Sequence, residues 1–76
     1  MEKIYEILEN LRPEFDFRSS SDYIADGLLD SFDIVSLVSE LEDAYSVLID
    51  ALDIIPENFI NVQAIAQLVY KNGGDK

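Results

Sequence analysis

Ser31 stands in Gly27-Leu28-Leu29-Asp30-Ser31-Phe32-Asp33, where a long polar connection meets the strongest helical pattern of the chain. Asp30 precedes that helix and Asp33 follows three residues later, the spacing of a capping box with Asp in place of the usual Glu or Gln. The spacing puts Ser31 in the first turn, with its hydroxyl clear of the core. A helix start carries unpaired N–H groups and partial positive charge, so it favours a phosphate. A phosphate at Ser31 is therefore what this position favours. Ser and Asp are also ordinary capping residues. On this stretch alone a purely structural reading stands beside the chemical one.

Other chemistries are narrowed by absence. The chain has no Cys and no His. That removes Ser-His and Cys-His catalysis, disulfides and ordinary His/Cys zinc sites. With no Gly-x-Ser-x-Gly elbow either, a hydrolase using Ser31 is not expected. Asp26-Gly27 and Asp30 lack the spacing of an EF-hand loop, which speaks against a calcium protein.

The elements that must position Ser31 follow from periodicity. Ile34, Leu37, Val38, Leu41 and Tyr45 recur at helical spacing and predict a helix from about Ser31 to Ala44 or Tyr45. Gly27 lets the chain turn sharply before it. An earlier helix is expected from Glu2 to about Leu11, with Ile4, Ile7, Leu8 and Leu11 as its stripe. Pro13 ends it, because the residue before a proline is pushed out of the helical region. Between Pro13 and Asp30, the residues Phe15, Phe17, Tyr23, Ile24, Leu28 and Leu29 are too apolar for a free linker. They are expected to pin the loop down, with a helical turn near Ser21-Asp22. Val47-Leu48-Ile49 reads as a buried loop. Asp50 is placed to cap a short turn through Ala51-Leu52-Asp53-Ile54-Ile55, and Pro56 either interrupts it or opens a second one through Glu57-Asn58-Phe59. Asn61 caps the last helix, with Val62, Ile65, Ala66 and Val69 inward and Asn72-Gly73 as its end. The expected architecture is all-α: a small antiparallel four-helix bundle, three longer helices and one short, with a long loop between helices 1 and 2. Residues 1–73 are expected to form one domain and 74–76 a frayed tail.

The net charge is −11 over 76 residues, and no Lys or Arg lies between Ser19 and Tyr70. Like charge argues against nucleic acid and anionic membrane surfaces as partners. The acids serve either as a solvated surface or as a docking face for basic partners. Met1-Glu2-Lys3-Ile4-Tyr5-Glu6 is charged and no long apolar run follows. No leader or membrane-inserted helix is expected, and the expected location is cytoplasmic. A monomer is expected.

Taken in order, these pieces resemble the acyl carrier and peptidyl carrier protein family. The resemblance covers nearly the whole chain. It runs through a first helix, a long loop and Asp30-Ser31-Phe32-Asp33, then Leu41-Glu42-Asp43-Ala44-Tyr45, Ile49-Asp50 and Asn61-Val62-Gln63-Ala64-Ile65. It implies a 4'-phosphopantetheine arm, donated by coenzyme A, on Ser31. A phosphopantetheinyl transferase would attach it, using magnesium on the transferase side, and Asp30 would help place the site. The thiol would belong to the arm, since the chain has no Cys. The arm would carry an acyl or aminoacyl group as a thioester, and the chain would not itself be an enzyme. A loading ligase and acyl-using enzymes with basic docking patches would be partners. Phe32, Val35, Ser36, Ser39, Glu42 and Asp43 would make the partner face.

Departures from the family pattern are visible. Phe32 stands where Leu is commoner, and Ser36 and Ser39 occupy positions often acidic or apolar, which weakens charge-driven docking. Gly-Leu-Leu-Asp-Ser-Phe is similar to stand-alone aminoacyl carriers, including D-alanyl carriers, and Asp50 to Phe59 is more like peptidyl than fatty-acid carriers. The phosphate would also meet the opposing charges of Asp26, Asp30 and Asp33. The alternative reading is an acidic helical interaction module that is not modified.

Overall fold

A computed structural model describes residues 2–74. It has α1 (Glu2–Leu11), α2 (Ser31–Tyr45) and α3 (Val62–Lys71). Two short 3-10 turns, Ala51–Asp53 and Pro56–Phe59, lie between α2 and α3. The fold is small and all-helical, with no strand among the described residues. Where one short fourth helix was expected, the chain makes these two turns instead. Asp50 caps the first by accepting the Leu52 N–H at 2.9 Å, and Pro56 opens the second. The proline has no N–H to continue an earlier run, so the segment divides there.

The core is a single cluster drawn from the three helices and the connections between them. Ile4 and Leu8 come from α1, and Ile34, Leu37, Val38 and Leu41 from α2. From α3 come Val62, Ile65, Ala66, Leu68 and Val69. The long first loop contributes Phe17, Tyr23 and Leu29, as buried as any helical residue. Tyr23 explains how a loop can lie inside. Its ring meets Phe17 edge-on with centroids 5.1 Å apart, its hydroxyl donates to Phe17 O at 3.0 Å, and its N–H donates to Ile60 O at 2.6 Å. Its polar groups are thus paired inside the core, as burial requires.

Asp22 begins a single helical turn, accepting the N–H groups of Ile24 and Ala25 at 3.1 and 2.9 Å. Gly27, at φ +76°, ends that turn, with Leu28 N–H donating to Tyr23 O at 2.8 Å. Arg18 pins the same loop to α1. It bonds Glu2 at 2.8 and 2.9 Å and Glu9 at 3.3 Å, and lies 4.3 Å above the Tyr5 ring.

Both ends of α2 are tied to α1. Lys3 Nζ donates to Ala44 O at 3.0 Å and supplies the cation that the last turn of α2 lacks. Arg12, just past the end of α1, reaches Asp33 in the first turn of α2. Past α3, Gly73 takes φ +98°, and Gly74 N–H donates to Val69 O at 2.9 Å. Gly74 therefore belongs to the helix cap, and a side chain there would strike Val69 Cγ1 at 2.3 Å. Fraying was expected over 74–76; Asp75 and Lys76 lie outside the described residues.

Candidate functional site

The start of α2 is built from both sides. Leu29 is buried and fixes the approach. Asp30 is extended (φ −111°, ψ −178°), so the chain enters the helix abruptly. The Asp30 carboxylate accepts the Asp33 N–H at 2.9 Å, and the Asp33 carboxylate accepts the Asp30 N–H at 3.3 Å. Asp can replace Glu or Gln in this box because Asp33 is buried and held close against the backbone. Ser31, the first residue of the helix, is exposed.

The acids around Ser31 are each engaged. Asp26 accepts the Ser20 hydroxyl at 2.6 Å. Asp33 takes Arg12 Nε and Nη2 on one oxygen, both at 3.0 Å. The Asp33 N–H bond lowers the Asp30 carboxyl below its ordinary value, and the nearby Arg12 charge adds to the effect against a smaller opposing cost of burial. The Arg12 guanidinium is held more firmly protonated by its bond to Asp33 and by that carboxylate's charge. Arg12 also approaches Glu14 at 3.4 Å.

The sequence left the acids near Ser31 without a counter-charge, because the nearest cation along the chain lies before Ser19. Folding brings Arg12 across 21 positions. The reading of Arg12 stopped at its place before Pro13. No local pattern in the chain points to its partner.

Of the N–H groups at the helix start, where a phosphate was expected, the one at Asp33 is already taken by the Asp30 carboxylate. The site presents an exposed hydroxyl on a fixed backbone, which suits a covalently attached group.

The proposed partner face divides. Phe32 and Val35 are large apolar side chains left 77% and 68% exposed beside Ser31. Ser39 and Asp43 are exposed further along, and Ser36 is half-buried. Glu42 is different. It is half-buried, and its carboxylate accepts the Ile49 N–H at 2.9 Å, tying the following segment to α2. It is thus occupied by a structural contact, and Glu40 is the more exposed acid nearby.

The Val47-Leu48-Ile49 segment also needs correction. Val47 and Ile49 are buried, but Leu48 is 84% exposed and shares a shallow groove with Ser39 and Asp43. An extended segment points successive side chains to opposite sides, and that alternation was the available signal. Leu52, also 84% exposed, lies in the turn that follows.

Among the described residues no set of acids gathers as a metal site, and no helix is long and apolar enough to cross a membrane. Comparison with known proteins finds no matching family model, no matching curated protein and no matching solved structure.

Proposed function

We propose that this chain is a carrier protein that holds an acyl or aminoacyl group as a thioester on a 4'-phosphopantetheine arm attached to Ser31. The observation that carries the reading is the start of α2: an exposed serine at the first helical position, on a backbone fixed on both sides by reciprocal carboxylate bonds. In attachment, Ser31 Oγ forms a bond to the phosphorus nearest the pantetheine of coenzyme A. The pyrophosphate link to the adenosine part breaks as that bond forms, and the serine proton leaves to a base of the transferase. The arm then supplies the thiol. Asp30 sets the helix start. The bundle keeps Ser31 away from its own core, so the loaded group is presented outwards.

Partners in this reading are a phosphopantetheinyl transferase, a loading ligase and acyl-using enzymes with basic patches. Phe32 and Val35 are the apolar contacts they would cover, and Asp43 with Glu40 the exposed charges they would meet. The reading includes a cytoplasmic location, a monomer and an antiparallel four-helix arrangement. Support for the last comes from Lys3 and Arg12. One near the start of α1 and one past its end, they reach opposite ends of α2, as two antiparallel helices would. The two 3-10 turns then take the place of the short third helix of the bundle.

The test is peptide mapping after reaction with coenzyme A and a broad-specificity transferase. A single arm is expected on the peptide holding Ser31, with Ser19, Ser20, Ser21, Ser36, Ser39 and Ser46 bare. An unmodified protein would instead favour the acidic interaction module, for which the exposed Phe32, Val35 and Leu48 already provide apolar surface.

A further inference from the structure

Among the described residues Arg12 is the cation the fold delivers to the start of α2, through a residue that has a second task. One oxygen of Asp33 receives both Arg12 contacts at 3.0 Å, and the other accepts the Asp30 N–H at 3.3 Å. The Asp33 side chain is only 7% exposed, while that of Arg12 is 36% exposed. A carboxylate so far removed from water is costly unless it is paired and hydrogen-bonded. Without Arg12 it would gain hydration by turning outward, and that rotation would release the Asp30 N–H. The residue immediately before Ser31 would then lose its restraint.

We propose that Arg12 is a positioning residue for the Ser31 site, neutralising and orienting Asp33 so that Asp33 holds the Asp30 backbone and fixes where α2 begins. The effect on arm attachment rests on the carrier reading; the effect on the backbone does not. Arg12 need not touch Ser31 or a partner for this. The geometry makes a selective statement. The Asp33 N–H is bonded by the Asp30 carboxylate and the Ile34 N–H by Asp30 O, neither of which passes through Arg12. Only the Asp30 N–H depends on the Arg12–Asp33 contact.

The experiment follows amide exchange by NMR together with arm-transfer kinetics. It uses wild type, Arg12→Gln, Arg12→Lys and the double variant Arg12→Gln with Asp33→Asn. In Arg12→Gln, protection of the Asp30 amide and kcat/KM for transfer should each fall on the order of tenfold, short of the roughly hundredfold that a full ångström of misplacement can bring. Amides of the α3 core should not change. Arg12→Lys keeps the charge but loses the two-donor contact, and a loss of about threefold is expected, within the range for such a replacement at a forked contact. The double variant removes the buried charge while Asn still accepts the Asp30 N–H, so both readouts should return close to wild type.

Unchanged Asp30 protection in both single variants would overturn the proposal. So would an equal loss at every amide, which would make Arg12 a general tie between helices. Failure of the double variant to recover would show that Arg12 does not act through the Asp33 charge. If wild type accepts no arm, the carrier reading fails by itself, and the amide readout still decides whether Arg12 positions the helix start.

Discussion

The starts of α2 and α3 use the same device for opposite purposes. Each helix is preceded by an extended residue whose side chain accepts the N–H three positions on: Asp30 from Asp33 at 2.9 Å, Asn61 from Ala64 at 2.8 Å. They part at the next residue. Val62 opens α3 with 2% of its surface exposed, whereas Ser31 opens α2 in solvent. The α3 start is held by packing, and a single cap completes it. The α2 start has no such anchor at its first residue. It is held by polar ties instead: a second, reciprocal bond from Asp33 and the Arg12 contact behind it. A helix end that keeps its first side chain out of the core must be fixed by something other than that side chain.

Substitutions can break this contrast, beginning with the largest effect. Val62→Ser should cost about 3 kcal/mol, the loss of a buried apolar side chain plus a hydroxyl placed in the core. Urea denaturation reads it, and a cost below about 1 kcal/mol would mean that packing does not hold the α3 start. Asp33→Ala should cost about 2 kcal/mol, because the Asp30 N–H and Arg12 both lose a buried acceptor. Asn61→Ala should cost less, about 1 kcal/mol, the usual worth of one cap. If Asn61→Ala costs more than Asp33→Ala, the α2 start has no extra polar support.

The next effect is one of pH. The folded protein lowers the Asp30 carboxyl below its ordinary 3.8. The charged form is therefore favoured on folding. Its contribution is complete above the ordinary value and is lost as pH falls through the lowered one. Asparagine caps a helix about as well as aspartate, so Asp30→Asn isolates the charge. Wild type should be the more stable near neutral pH, and the gap between the two should close only in acid below the ordinary value. A gap that widens in acid would reverse the sign of the interaction. Smallest of all, Ser31→Val should change stability by no more than about 0.5 kcal/mol, as at other exposed sites. It is the counterpart of the change at Val62, at the same helical position.

The helices were legible because their signals are local. Pro13 marks the end of α1, Asp30 and Asn61 mark the starts of α2 and α3, and the stripes at Ile34–Leu41 and Val62–Val69 name the buried faces. Asp33 was legible as half of a capping box, for the same reason. Its pairing with Arg12 was not, since it depends on how α1 packs against α2. Glu42 shows the limit from the other side. On a helical wheel it is one more acid on the outer face. Only the turn at Ser46, at φ +56°, brings Ile49 back for Glu42 to hold. Leu48 departs from the buried run expected of Val47-Leu48-Ile49: its neighbours on both sides face the core, and successive side chains of an extended chain alternate in direction.

The central claim is that the α2 start exists to hold Ser31 ready for a covalent arm. Intact mass under excess coenzyme A and a broad-specificity transferase tests it most directly, with wild type beside Ser31→Ala and circular dichroism confirming that both are folded. Wild type is expected to gain one phosphopantetheine and Ser31→Ala none. A folded wild type that gains nothing with a transferase active on a control carrier, or a Ser31→Ala variant that gains the same mass, would contradict the account.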